Sequence, residues 1–143
     1  MEKPFISFLL RSKVVLMNRV KYTLEFLFRA SPNILYNFIT TPACLVRWFC
    51  DDVDITPGGK YTFFWSGSDE VAEVLESEEG EFIRFQWEDA ENEDEFLEFR
   101  MDTSPVTGET ILFVTDFADD DEVDDQKQLW ETQIEKLRIE TGG

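Results

Sequence analysis

Tyr22-Thr23-Leu24-Glu25-Phe26-Leu27-Phe28-Arg29, followed at once by Ala30-Ser31-Pro32, is the stretch on which the fold turns. In an extended chain Tyr22, Leu24, Phe26 and Phe28 fall on one face and Thr23, Glu25 and Arg29 on the other, which is the period of a half-buried strand. Ser31 then supplies a helix cap and Pro32 a preset first helical residue. Ile34, Leu35, Phe38 and Ile39 recur at helical spacing, so a helix over about 32–40 follows the strand. Thr41-Pro42 breaks it, and a second short helix carries Leu45, Trp48 and Phe49 toward the core. Thr56-Pro57-Gly58-Gly59 closes this part of the chain with a turn.

From 60 to 117 strand patterns alternate with acidic turns. Tyr61, Phe63 and Trp65 share one face; Val71 to Ser77 is a less apolar strand ending at Glu78-Glu79-Gly80. Ile83, Phe85 and Trp87 line another strand with Arg84 and Gln86 turned away, then come Leu97, Phe99 and Met101, and last Ile111, Phe113 and Val114. Connections of hairpin length join them in place of crossover helices, so the strands are antiparallel. A final helix over about 121–140 would be about 30 Å long and would cross a whole sheet. Its apolar stripe is Val123, Trp130, Ile134 and Leu137, with Gln126, Lys127 and Gln133 beside it. The expected fold class is α+β: a curved antiparallel sheet of six to seven strands, two short helices after the first, and a long C-terminal helix packed across the sheet.

Composition bounds what this fold does. A chain of 143 residues is one domain in size, and 43% hydrophobic with 15% aromatic residues is too apolar for a disordered acidic chain. The net charge of −18 repels phosphate backbones, so nucleic acid is excluded as a partner. The absence of His removes the side chain most used for acid–base work and zinc ligation near neutrality. Cys44 and Cys50, six apart in what reads as one helix, have neither metal nor disulfide spacing, and reduced thiols in a cytoplasmic protein are expected. No apolar run reaches the length of a membrane span.

Residues 1–20 read as an N-terminal extension to a single domain over 21–143. The first 21 residues hold Lys3, Arg11, Lys13, Arg19 and Lys21 against Glu2, a charge of +4 that leaves −22 on the rest. A basic apolar start suits an anionic membrane surface; the favoured reading is that Met17 is the biological start and the first 16 residues are upstream sequence.

The motifs Ala30-Ser31-Pro32, Thr41-Pro42 with Arg47-Trp48-Phe49, Gly58-Gly59 before an aromatic strand, Ile83-Arg84-Phe85-Gln86-Trp87 and a last helix holding Trp130 and Leu137 resemble, in order and spacing, the START-like superfamily of helix-grip folds. The branch they resemble is the one related to the C-terminal domain of the activator of the heat-shock ATPase. Small single-domain bacterial members with a final strand like Thr115-Asp116-Phe117-Ala118-Asp119 look nearest. The resemblance implies an apolar cavity between sheet and long helix that takes lipid-like or polyketide-like molecules; a minority of the superfamily are cyclases or dehydratases, and a related domain stimulates a chaperone.

The candidate ligand-binding residues are Phe26, Tyr61, Phe63, Trp65, Phe85, Trp87, Phe99, Met101, Trp130 and Ile134, since rigid rings wall a cavity at low entropic cost. The same side chains make a filled core, which is slightly favoured because the inward strand positions are mostly large. A ligand module predicts a cavity of several hundred Å³, and a filled core counts against it. Of the polar groups, Arg84, Gln86 and Arg100 are expected to face solvent, and Asp116 to cap the turn after its strand, with a buried acid or base of raised pKa as the alternative. The acids from Asp119 to Asp125 read as a favourable charge at a helix N-terminus; Glu70 to Glu81 and Glu88 to Glu98 read as solvated strand edges and turns. No metal or cofactor is expected, and no catalytic set has a recognisable spacing; an enzyme of the cyclase or dehydratase kind, resting on Asp116, Tyr61 and Arg84, is the least favoured reading. Two partner classes remain, an apolar small molecule and a basic protein drawn to the acidic surface.

Overall fold

The computed structural model describes residues 18–143. The first 17 residues, and with them the apolar basic start and Met17, lie outside the described residues. The elements run β1 (Arg19–Phe28), α1 (Pro32–Thr40), α2 (Pro42–Leu45), β2 (Asp52–Ile55), β3 (Tyr61–Trp65), β4 (Ser68–Glu78), β5 (Phe82–Trp87), β6 (Leu97–Thr103), β7 (Thr110–Asp119) and α3 (Val123–Glu140). They form a seven-stranded antiparallel sheet in the order β1-β7-β6-β5-β4-β3-β2. Against it pack the two short helices and, crossing β1 and β7, α3.

Local chemistry sets the boundaries. Ser31 Oγ accepts from the Ile34 amide at the start of α1, and Pro32 opens the helix. Between β3 and β4 the two-residue turn Ser66-Gly67 has positive φ at both positions, the backbone that matches the twist of the flanking strands. Gly80, between β4 and β5, sits at φ +75°. A side chain there would be strained in that conformation and would meet the Asn33 amide.

The inward faces hold the core. Tyr22 and Phe28 of β1, Tyr61, Phe63 and Trp65 of β3, Ile83, Phe85 and Trp87 of β5, and Leu97, Phe99 and Met101 of β6 are all buried, and Trp130, Ile134 and Leu137 of α3 close over them. Gln126 and Gln133 are buried with that stripe.

Several expectations are corrected. The first strand begins at Arg19, three residues earlier than its alternation suggests, because Arg19 is tied to Glu95 (2.6 Å) and Asp119 (3.1 Å). The strand β2 escapes a reading by pattern, since Val53 is its one buried side chain. Its neighbour α2 ends at Leu45, so Cys44 and Cys50 do not share a helix; both thiols are free, and burial pushes that of Cys50 up to about 12. On β7 the inward residues are Leu112, Val114, Asp116 and Ala118, with Ile111 and Phe113 on the outer face. The acids of β4, and Glu98 of β6, lie on interior strands, the sheet edges being β1 and β2. Glu70, Glu95 and Glu98 are buried where solvated positions were expected. Glu98 is held by Arg84 (2.7 Å) and Arg100 (3.4 Å), and Glu95 by Arg19.

Candidate binding site between the sheet and the short helices

An apolar void of about 10 Å³ lies in the interior, walled by Ile39, Leu45, Phe49, Phe63, Phe85, Trp87, Leu97 and Phe99. That is room for about one water molecule, against the several hundred Å³ expected of an open cavity. The reason lies in side-chain size: at nearly every inward strand position facing the helices stands a ring or a branched chain, and the rings meet at normal packing distances. Phe49 lies 5.2 Å from Phe63 and 5.5 Å from Trp65, Phe63 lies 5.6 Å from Trp87, and Phe85 lies 6.5 Å from Phe99, mostly edge to face.

The void lies at a boundary. Its walls Ile39, Leu45 and Phe49 come from α1, α2 and the turn after α2; the other five come from the sheet. This short-helix segment covers the void like a lid and is held at the junction of its helices and at the turn after α2. Tyr61 Oη donates to the Thr40 carbonyl (2.8 Å), Trp65 Nε1 to the Phe49 carbonyl (2.8 Å), and Gln133 Nε2 of α3 to the Trp48 carbonyl (2.9 Å). Within the lid, Trp48 Nε1 donates to the Phe38 carbonyl (2.8 Å). Amphipathic rings thus spend their polar tips on the backbone of the turn and their faces on the core.

Of the ten sequence candidates, Phe63, Phe85, Trp87 and Phe99 wall the void. Tyr61, Trp65, Met101, Trp130 and Ile134 are buried around it, and Phe26 is half-buried at the margin of the core. Three lid residues and Leu97 complete the walls. Trp48 and Phe49 are 3% and 2% exposed, so they close the core.

Behind the void stands a buried polar group that turn chemistry misplaced. Asp116 points inward from β7, opposite Tyr22 of β1. Its Oδ2 accepts from Trp130 Nε1 (3.1 Å) and lies 3.5 Å from Tyr22 Oη, and its Oδ1 accepts from the Phe117 amide (2.8 Å). Burial pushes the Asp116 carboxyl up to about 7, and burial, then the neighbouring Asp116, raises the Tyr22 phenol. Trp130 links this group to the void: its ring stacks on Phe49 (6.3 Å) and meets Phe99 edge-on (5.7 Å). Alternation carried through from Val114 was the signal that finds Asp116.

The remaining polar candidates face out, as expected. Arg84 lies 4.1 Å over the Phe96 ring, Arg100 lies 4.3 Å over Phe82, and Gln86 donates to the Glu95 carbonyl. At the turn before α3 the carboxylates of Asp119, Asp121 and Glu122 lie within 4.8 Å of one another, with Asp119 already paired to Arg19. No described helix is long and apolar enough to cross a membrane.

A seven-stranded antiparallel sheet gripping a long C-terminal helix, with an apolar void under a short-helix lid, defines a helix-grip domain. The chain belongs to the START-like superfamily, whose domain model matches residues 16–143. The solution structure of a Bacteroides fragilis protein is 40% identical, with 89% of this chain and 94% of that one aligned at a TM-score of 0.63. The Aha1 dimer from Colwellia psychrerythraea (19% identity, 85% and 96% covered, TM-score 0.69) and CalU16 from Micromonospora echinospora (18%, 85% and 76%, TM-score 0.65) share the fold. No curated protein matches the sequence.

Proposed function

We propose that this chain is a non-catalytic binding module for a small hydrophobic molecule, closed when empty and opened by displacement of the α1–α2 lid. The observation that carries this reading is the place and lining of the void: eight apolar side chains, three on a lid of two short helices and five on the sheet. A ligand need not find a preformed cavity of several hundred Å³; it replaces the lid's ring contacts with its own, so a minor open state becomes the dominant one. The binding habit of the START-like superfamily supports the same reading, with the residues above in the role of walls.

The test is a titration with naphthalene, followed by the methyl resonances of Ile39, Leu45 and Leu97 in a carbon–proton correlation spectrum. Saturable shifts at these methyls, absent at Val106 on the surface, support the site. Unmoved methyls up to the solubility limit of naphthalene overturn it.

A second reading has its own observation, the charge of −18 on a core that is nearly filled. In it the acidic surface docks a basic protein, and the affinity falls as salt rises. Binding that is indifferent to ionic strength would dismiss it.

A further inference from the structure

Among the described residues Asp116 is a buried carboxylate set against apolar walls. The charged groups that act on it are Arg19 and Glu95, and Arg19 is itself engaged by Glu95 and Asp119. Two donors face its Oδ2. Trp130 Nε1 is well placed at 3.1 Å, whereas Tyr22 Oη at 3.5 Å is at the outer limit of a hydrogen bond. An asparagine would steady the indole as well as a carboxylate does, without the cost of burying an ionisable group. Trp130 is also the ring between Asp116 and two walls of the void, Phe49 and Phe99.

Resting on the proposed apolar site, we infer that Asp116 is the polar anchor for the ligand, reached when the Trp130 indole turns aside, and that the ligand has an apolar, ring-sized body carrying one hydrogen-bond donor, a hydroxyl or amine and not a carboxylate. The donor takes the place of the Trp130 N–H on Oδ2, with Tyr22 Oη free to shorten its contact from the other side. A ligand carboxylate at the same spot would meet Asp116 without a free cation to offset it, and fatty-acid-like molecules are selected against on that ground.

Three probes separate this inference from the reading it rests on: naphthalene, 2-naphthol and 2-naphthoate, each titrated into the full chain by the same methyl readout at pH 8, above the value of about 7 to which burial pushes the Asp116 carboxyl, so that it is ionised. The expected order is 2-naphthol tighter than naphthalene by roughly tenfold, as one hydrogen bond to a buried charged group gives, and 2-naphthoate weakest. In Asp116→Asn, which keeps the shape and a hydrogen-bond acceptor, the advantage of 2-naphthol shrinks to within about threefold of naphthalene. Naphthalene and 2-naphthol binding alike in the wild type would show Asp116 only positioning Trp130 and would overturn the anchor while leaving the apolar site standing. Tighter 2-naphthoate would reverse the inferred ligand class. No binding by any of the three removes the apolar site and the anchor together.

Discussion

At Asp116 a single side chain makes its own contribution to how the fold responds to pH. Its carboxyl titrates near 7 when folded, and near 4 in an unfolded chain. Below about pH 4 both states hold the proton and the group carries no penalty; as pH rises toward 7 the unfolded state ionises first, so stability falls through this window and levels above it. The full effect is on the order of 4 kcal/mol. Asp116→Asn is therefore expected to flatten the decline in urea midpoint between pH 4 and 7, and an unchanged slope would show that the carboxylate is not held in its neutral form. Gly80 gives a second residue-scale prediction. At φ +75° Gly80→Ala is expected to cost about 1–3 kcal/mol, and Gly80→Asn less, because Asn tolerates the left-handed region. Equal midpoints for Gly, Asn and Ala would contradict it.

The sequence exposed these two sites unequally. Glu78-Glu79-Gly80 announces its turn in composition alone. Asp116 was hidden because acids after a strand usually cap turns; only strict alternation from Val114 reveals that it faces inward opposite Tyr22. Phe63, Phe85, Trp87 and Phe99 were legible as inward residues because a period of two assigns faces without knowledge of neighbours. The size of the space between them was not, since it depends on how side chains from five elements fit.

Among the elements, the α1–α2 lid is the one whose behaviour matters most. Helices of nine and four residues have little stability of their own and depend on tertiary contacts. Gln133 Nε2, reaching from α3 to the Trp48 carbonyl, is one of the pins, and Gln133→Ala removes it while leaving that carbonyl buried. A loss of about 1–3 kcal/mol is expected, with faster amide exchange over 38–50 than over β6 and β7. Uniform acceleration over the whole sheet would place the effect in global stability and not in the lid. The lid was half legible: proline and serine marked α1, whereas β2, with its one buried apolar residue between aspartates, carries too little pattern to be read.

For the molecule as a whole, charge opposes compactness. With −18 on 143 residues, self-repulsion over the surface exceeds what its ion pairs offset. Raising ionic strength from about 0.01 M to 0.15 M shortens the screening length from about 30 Å to 8 Å, and the thermal midpoint is expected to rise by a few degrees, more with a divalent than a monovalent salt at equal ionic strength only if carboxylates such as Asp119, Asp121 and Glu122 gather cations specifically. A midpoint that falls with added sodium chloride would contradict the repulsion. Overall topology was the most legible scale, because strand, two short helices, meander and long helix follow one another in the order in which they pack.

The central claim is that an apolar molecule occupies the space between the sheet and the lid. Native mass spectrometry on protein purified without detergent, set beside the same sample denatured, tests it most directly. The account predicts a reproducible adduct of small apolar mass that disappears on denaturation and is lost from a Leu97→Phe variant, whose ring fills the void of about one water while the amide spectrum stays folded. Bare protein in both preparations, together with methyls unmoved by naphthalene, would contradict it and leave the acidic surface as the working part of the molecule.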